Sequence, residues 1–379
     1  MGENTADVLP SKLTHEDGLP VELDTNATDG SVLSDKGKGI PYRPEAYYGQ
    51  FLTENAVQRK PSAIHALFPL EQTPGVISLL AGKPNVLTFP FLELSFTARD
   101  TRDAGNPDIS VPISGPLLSQ GLQYGATPGI NGLLLWFEQL QELVHGREAV
   151  GEGWRISIGC GSRELMSKTI QALVNPGGPV LVDSNSKNHL DQTPIFYTHP
   201  VEVVEIPVDG LGLVPSKLES ILETWTDTRA TPRPQVLYTI PFGVGPTTSR
   251  ERRIEILKIA KRWDIVILED DPYYYLSSPS QRAECPSYFS LERDSLGEVG
   301  QVLRYDTLSK IIAPGLSIGW VSGPEALVNA VDTFTSTANL QAGTVSQVVS
   351  LALLSAWGHE GFLKHVERVY EFYTQSPRE

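Results

Sequence analysis

Short apolar runs alternate with amphipathic helical patterns over most of this chain. From residue 155 onward the apolar runs predict strands at 155–159, 180–182, 201–206, 235–240, 265–268 and 302–305. Helical patterns such as 163–173 and 250–263 lie between most of them, and residues 277–287, rich in serine and proline, predict a surface loop. This alternation predicts an α/β fold in three layers, with helices on both faces of a mostly parallel sheet.

The two ends of the chain have a different character from this central region. Residues 1–58 are largely polar and predict a flexible N-terminal arm. At its end, residues 47–59 are weakly amphipathic and predict a helix that could cover a partner subunit. Residues 59–330 make up the predicted large domain. After Pro324 the pattern is helical, so residues 331–379 predict the helical start of a C-terminal domain.

The chain is acidic, with 45 Asp and Glu against 30 Lys and Arg, a formal net charge of −15 and a pI near 5.0. Because a nucleic-acid partner requires a basic face, the composition disfavours this class. Cys160 and Cys285 give neither a disulfide framework nor a metal-ligand cluster, and the histidines show no ligand spacing. Without a signal peptide or a membrane-spanning apolar run, we expect a cytoplasmic protein that has no metal and no membrane partner.

Three polar side chains follow two of the predicted strands, at the edge where ligands bind in sheets of this kind. Lys310 comes after the strand at 302–305 and is followed by a Pro-Gly turn. Asp270 comes after the strand at 265–268, and Tyr273 lies three residues later. An acid behind a buried strand is costly unless it is paired, which favours a cationic partner. The structural alternatives are a surface lysine, a turn-capping aspartate and a packed tyrosine.

The sequence Gly161-Ser162-Arg163 opens a predicted helix directly after a strand. The free backbone amides and the dipole of a helix N-terminus favour an anion such as a phosphate group. A serine that caps the helix is compatible with such a site. The strand ends are therefore predicted to combine a lysine, an acid, a phenol and an anion site.

These segments resemble the fold-type I pyridoxal-phosphate-dependent aminotransferases, in particular the kynurenine/aminoadipate and fungal aromatic aminotransferase branch. The resemblance extends from Arg59 to Tyr373 and includes GVISLLAGKPN at 75–85, LQYGATPG at 122–129 and WGHEGF at 357–362. It implies pyridoxal phosphate as the cofactor and an amino acid and a 2-oxo acid as the substrates. An aromatic or aminoadipate-like amino acid is the default donor in this branch.

The resemblance also implies a role for each residue at the strand ends. Lys310 forms the imine with the cofactor aldehyde and moves the substrate proton, Asp270 keeps the pyridine nitrogen protonated, and Tyr273 polarises the ring oxygen. Further cofactor contacts are assigned to Ser162, Arg163, Lys187, Thr307 and Ser309.

Two further assignments concern a partner subunit and the substrate. In the family, Tyr124 reaches the cofactor phosphate from a neighbouring subunit, which implies a homodimer. Gly82 and Lys83 lie in the segment that faces the substrate, so Lys83 is a candidate partner for a substrate carboxylate.

Three positions depart from the family pattern. The family places a phosphate-pairing arginine at Ser317, an asparagine that supports the ring oxygen at Gly245, and an aromatic ring that stacks on the cofactor at Lys187. We expect the lost phosphate contact to weaken cofactor affinity by roughly 30- to 150-fold, unless Arg163 or Lys187 replaces it. Family members also carry further residues beyond 379, including an arginine for the substrate carboxylate, so the resemblance implies an incomplete small domain.

Two alternatives to an aminotransferase stay open from the sequence. One is a pyridoxal-phosphate-dependent lyase, or another biosynthetic enzyme, that keeps the lysine chemistry without transamination. The other is a non-catalytic relative, which the three departures favour and the presence of Lys310, Asp270 and Tyr273 disfavours.

Overall fold

The computed structural model describes residues 40–60, 70, 73–76, 82–102, 105–186, 195–229, 231–243 and 245–375. Its strands are β1 Leu94–Ala98, β2 Ile109–Ile113, β3 Trp154–Gly159, β4 Pro179–Asp183, β5 Glu202–Ile206, β6 Val208–Asp209, β7 Gly212–Leu213, β8 Val236–Thr239, β9 Val266–Asp270, β10 Val302–Thr307 and β11 Gly319–Pro324. Its helices are α1 Glu45–Tyr48, α2 Glu54–Gln58, α3 Gly115–Leu122, α4 Asn131–His145, α5 Ser162–Leu173, α6 Ile195–Thr198, α7 Pro215–Glu223, α8 Trp225–Thr228, α9 Arg250–Arg262, α10 Pro279–Glu284, α11 Tyr288–Leu296, α12 Glu325–Ala338 and α13 Thr344–Gln375.

A seven-stranded sheet forms the centre of the described chain, in the order β3-β11-β10-β9-β8-β4-β5. Strand β11 is antiparallel to both of its neighbours, whereas the other neighbouring strands are parallel. The predicted strands and the mostly parallel sheet are therefore confirmed. Because β9 extends to Asp270 and β10 to Thr307, both side chains belong to the carboxyl edge of the sheet.

Side chains from each strand alternate between the two faces of this sheet, as the strand geometry requires. On one face Ile158, Leu181 and Ile267 pack under helices α4, α7, α9, α11 and α13. On the other face Val182 and Leu268 pack against α5 and α12. All five residues are fully buried. The predicted arrangement in three layers is confirmed, with helices on both faces.

Part of the predicted flexible arm is packed against the rest of the chain. Helices α1 and α2 flank the side chain of Phe51, which is buried with that of Tyr48. The Thr53 N–H donates to the Ala172 carbonyl at 2.8 Å, at the end of α5. Residues 45–58 thus pack on α5 of their own chain, and their contact with a partner subunit stays a prediction. Residues 1–39 lie outside the described residues.

The predicted surface loop at 277–287 contains helix α10. Ser278 Oγ accepts a hydrogen bond from the Gln281 N–H, the Gln281 side chain accepts from the Ser278 N–H, and Pro279 occupies the first helical position. Serine and proline indicated a loop, but here they start a helix. The helical pattern predicted after Pro324 is confirmed by α12 and α13, the latter broken at Gly358. Within the described ranges, no helix has the length and apolar character needed to cross a bilayer.

A buried charged cluster joins β9 to β10 below the carboxyl edge. The Arg304 guanidinium forms two hydrogen bonds with the Asp306 carboxylate, at 3.0 and 2.8 Å, and its Nη1 lies 3.3 Å from oxygens of both Glu269 and Asp271. Gln141 Nε2 donates to Asp306 Oδ2 at 2.9 Å. All five side chains are buried. One guanidinium therefore holds three carboxylates that would otherwise be uncompensated in the core.

We expect Arg304→Leu to lower the free energy of unfolding by about 3–5 kcal/mol, because it leaves three buried carboxylates without their cation. The exposed pair between Arg262 and Glu219 provides the control, since Arg262→Leu should cost no more than about 1 kcal/mol. Urea denaturation of both variants measures the difference. Equal losses of stability would contradict this account of the cluster.

Candidate active site

A cavity of about 250 Å³ lies at the carboxyl edge of the sheet, where the ends of β3, β9 and β10 meet. The strand ends bring together most of the residues that the sequence predicted for this site. The cavity is lined by Cys160, Gly161, Ser162, Arg163, Met166, Ile195, Tyr238, Asp270, Pro272, Tyr273, Thr307, Ser309, Lys310 and Ser317. Its walls thus combine a lysine, a carboxylate, a phenol and a helix N-terminus.

The Asp270 carboxylate has one satisfied oxygen and one without a partner. Its Oδ2 accepts a hydrogen bond from Tyr238 Oη at 2.8 Å, whereas its buried Oδ1 has no hydrogen-bond partner among the described residues. Burial raises the pKa of Asp270 to about 6, although the Tyr238 hydrogen bond and the Arg163 guanidinium oppose this rise. A buried acid with an unsatisfied oxygen is costly, and a protonated nitrogen placed at Oδ1 would offset the cost.

Lys310 and Tyr273 face the same cavity. Lys310 follows β10 by three residues, in the turn before β11, and its Nζ lies 5.9 Å from the centre of the Tyr273 ring. The turn is fixed by the buried side chains of Leu308 and Ile311, the Ile311 N–H donating to the Leu308 carbonyl at 3.2 Å. The apolar neighbours thus hold the backbone of the turn while the Lys310 side chain stays accessible.

The start of α5 and the end of β10 both line the cavity, where the sequence predicts an anion site. Gly161 is the N-cap of α5 and has a φ of 88°, so the backbone turns from β3 into the helix at a residue that tolerates this conformation. Ser162 occupies the first helical position instead of the cap, and Arg163 follows it. Thr307 Oγ1 lies 3.0 Å from Ser309 Oγ, and both residues line the same cavity as the start of α5.

The structure shows the surroundings of two of the three positions that depart from the family pattern, Ser317 and Gly245. Ser317 lines the cavity with a left-handed backbone, and its Oγ approaches the Cys160 carbonyl at 3.4 Å. A β-carbon at Gly245 would lie 2.5–2.8 Å from the side-chain atoms of Asn185. The amide of Asn185 therefore occupies the space that a side chain at 245 would need. Asn185 could not be singled out from the sequence, because only its spatial contact with Gly245 sets it apart from other polar residues.

Three residues assigned from the sequence do not line this cavity, and a fourth, Lys187, lies outside the described residues. Tyr124 is 52% exposed and does not line the cavity of its own chain. Gly82 and Lys83 are described but do not line the cavity either. The assigned roles of these residues stay predictions.

Comparison with known proteins identifies the family. The aminotransferase tdiD of Emericella nidulans is 42% identical over 326 residues, covering 85% of this chain and 73% of that protein. The mitochondrial kynurenine/alpha-aminoadipate aminotransferase of Rattus norvegicus is 34% identical, covering 86% of this chain and 76% of its own length. The crystal structure of aminotransferase Aro8 from Candida albicans matches with a TM-score of 0.76 and 25% identity over 88% of this chain and 75% of that chain. No family model matches the chain.

The chain belongs to the fold-type I pyridoxal-phosphate-dependent aminotransferases. The resemblance stated from the sequence is thereby confirmed, as are the fold class and the aminotransferase function. The residues of this aminotransferase fit the cofactor, because the unpartnered Asp270 Oδ1 is a ready acceptor for a pyridinium N–H. Lys310, the amine predicted to form the covalent link, lines the same cavity.

Asp270→Asn is expected to stabilise the cofactor-free aminotransferase at high pH. Well below pH 4 the aspartate is protonated in both the folded and unfolded states, so the variant should show little difference. Because the folded pKa is raised to about 6, the wild-type protein loses stability as the pH rises from below 4 to above 6. We expect the variant to be more stable by about 2–3 kcal/mol at pH 8.

Urea denaturation at pH 4.5 and pH 8 measures this difference. The asparagine keeps an oxygen that accepts from Tyr238, so the variant does not lose that hydrogen bond. A stabilisation of equal size at both pH values would show that the carboxylate charge is not its source.

Proposed function

We propose that this aminotransferase uses Lys310, Asp270 and Tyr273 as its catalytic residues. An aromatic or aminoadipate-like amino acid would be the donor and a 2-oxo acid the acceptor. The observation that carries the proposal is the buried Asp270 Oδ1, which lacks a partner in the same cavity as an accessible lysine. The name of the rat relative, a kynurenine/alpha-aminoadipate aminotransferase, supports the donor class.

Each of these residues has a distinct task. Bound pyridoxal phosphate supplies an electron sink that stabilises negative charge at the substrate α-carbon. Asp270, ionised above its pKa of about 6, would hold the proton on the pyridine nitrogen. The Tyr273 phenol would donate to the ring oxygen. Lys310 Nζ would act as the base that takes the proton from the substrate α-carbon and as the acid that gives it back.

We further propose that Arg163 takes over phosphate binding from the arginine absent at position 317. Arg163 and Ser317 both line the cavity, and Arg163 lies in the first turn of α5. Its guanidinium is close enough to lower the pKa of Asp270, so its charge acts within the site. Ser162, Thr307 and Ser309 supply hydroxyl groups to the same anion.

The remaining assignments of the sequence analysis complete the proposal. A homodimer would allow the exposed Tyr124 to reach the partner's cofactor cavity. Lys83 is proposed to face the substrate from its own segment. The cytoplasm is the proposed location.

A visible absorption spectrum tests the central proposal. Wild-type protein with added pyridoxal phosphate should show an absorbance band from the link to Lys310, and Lys310→Ala should lose this band. Lys258→Ala, which removes an exposed lysine of α9, is the matched control and should keep it. A wild-type protein that stays colourless after the addition would overturn the proposal.

Product analysis separates transamination from its alternatives. With kynurenine, aminoadipate or an aromatic amino acid, the coloured protein should release the corresponding 2-oxo acid and aminate an added acceptor. Ammonia release without amination of the acceptor would instead identify a lyase. A coloured protein that releases neither product would identify a non-catalytic relative.

Arg163→Gln should weaken binding of pyridoxal phosphate by about 10- to 100-fold, since it removes a charge-assisted contact with the phosphate. Arg250→Gln is the control, because Arg250 is exposed on α9 and does not line the cavity. Fluorescence titration of the cofactor-free protein gives both dissociation constants. Equal constants for Arg163→Gln and the wild type would show that another group holds the phosphate.

A further inference from the structure

Asp270 lies between two buried tyrosines of the neighbouring strands, and only one of them donates a hydrogen bond to it. In the register of β8 and β9, Tyr238 lies opposite Leu268, so Asp270, two residues further on, belongs to the same face of the sheet. On the other side, Tyr305 of β10 lies opposite Asp270. The Tyr238 hydroxyl donates to Asp270 Oδ2 at 2.8 Å, whereas the Tyr305 hydroxyl donates to Thr169 Oγ1 at 2.7 Å. The two tyrosines thus share a face but have different partners.

Tyr238 belongs to the cofactor cavity as well as to the core. It lines the cavity, although only 2% of its surface is exposed. A buried phenol requires a hydrogen-bond partner, and Asp270 Oδ2 provides it. Burial and the charge of Asp270 hold the pKa of Tyr238 well above its usual range, so the hydroxyl stays protonated and acts as the donor. With Oδ2 held in this way, Oδ1 is the oxygen left to accept from a cofactor.

The same hydrogen bond favours the ionised form of Asp270. Burial raises the pKa of Asp270 to about 6, and the Tyr238 hydroxyl is the group that opposes this rise most strongly. A hydrogen bond to a charged acceptor contributes more than one to a neutral acceptor, so Tyr238 stabilises the carboxylate more than the acid. The other charged or titratable groups around Asp270 are Asp306, Arg304 and Tyr305 of β10, Arg163 of α5, and Cys160, Tyr273 and Lys310 in the cavity wall.

We propose that Tyr238 is a positioning residue of this aminotransferase. Its hydroxyl holds Oδ2 of Asp270, which leaves Oδ1 to the cofactor nitrogen and keeps the carboxylate ionised at neutral pH. The inference rests on the proposed function, in which Asp270 holds the proton on the pyridine nitrogen. Nothing in the sequence sets Tyr238 apart, since it lies within an apolar strand and reaches Asp270 only through the pairing of β8 with β9.

Tyr238→Phe tests the charge of Asp270 in the cofactor-free protein, because it removes the hydroxyl and keeps the ring. The wild type loses stability as the pH rises from below 4 to above 6, the folded pKa of Asp270 being raised to about 6. In the variant this folded pKa should be higher still, so the loss continues above pH 7. We expect Tyr238→Phe to lower the folding equilibrium constant by about 10-fold more at pH 8 than at pH 4.5, measured by urea denaturation.

Two controls separate this effect from the loss of a buried hydroxyl. Tyr305→Phe removes the hydrogen bond to Thr169 and leaves the contact between Tyr238 and Asp270 in place, so its cost should be the same at both pH values. In an Asp270→Asn background the cost of Tyr238→Phe should also be independent of pH, because the charge is absent. A cost of Tyr238→Phe that is equal at pH 4.5 and pH 8 in the wild-type background would overturn the inference.

Cofactor binding gives a second measurement on the full chain. Fluorescence titrations at pH 6 and pH 8.5 use pyridoxal phosphate and its analogue in which a C–H group replaces the ring nitrogen. Relative to the wild type, Tyr238→Phe should bind pyridoxal phosphate about 5-fold weaker at pH 6 than it does at pH 8.5, because fewer molecules carry an ionised Asp270 at the lower pH. Ionisation of the ligand itself is the same for both proteins and cancels in this ratio.

The analogue cannot carry the proton, so its ratio between variant and wild type should be the same at both pH values. A pH-dependent ratio for the analogue, or a pH-independent ratio for pyridoxal phosphate, would contradict the assigned role of Tyr238. A wild-type protein that binds neither ligand overturns the proposed function. The unfolding measurements then still decide the inference: a cost that grows with pH supports the action of Tyr238 on Asp270, and a constant cost overturns it.

Discussion

The ion pair between Arg304 and Asp306, with Glu269 and Asp271 on the same guanidinium, is the contact on which the site depends. It joins β9 and β10, whose register pairs Arg304 with Glu269 and Tyr305 with Asp270. Side chains alternate along a strand, so fixing Glu269 and Asp271 on one face places Asp270 on the other. A slip of one residue would exchange these faces and remove Asp270 from the cavity.

The register of β9 and β10 also explains why neighbouring acids at the end of β9 have different surroundings. Glu269 accepts hydrogen bonds from the Tyr288 and Phe289 N–H groups, in addition to its pairing with Arg304. Within the described ranges, the Asp270 carboxylate accepts a hydrogen bond only from the Tyr238 hydroxyl, and its Oδ1 has no partner. The first acid is satisfied by the protein and serves its structure. The second is incompletely satisfied, which costs stability but leaves an acceptor for a bound cation.

The sequence could predict the parts of this site that depend on position along a strand. Asp270, Thr307 and Lys310 follow apolar runs, and the carboxyl ends of neighbouring parallel strands must meet at one edge of the sheet. It could not predict the contact between Asn185 and Gly245, because the two residues are far apart in the chain and adopt no periodic pattern. The helix at 279–284 was missed for another reason, since serine and proline favour both loops and helix starts.

Lys310 lines a cavity with a second cation, Arg163, in a chain that is otherwise acidic. The start of α5 lines the same cavity, together with Ser317 at the position where the family carries an arginine. In the proposed function, a cofactor phosphate would bind where the charge of Arg163 adds to the dipole of the helix. Positive charge at the start of α5, more than an arginine at one particular position, would then keep a site that departs from its family at position 317 suited to the same cofactor.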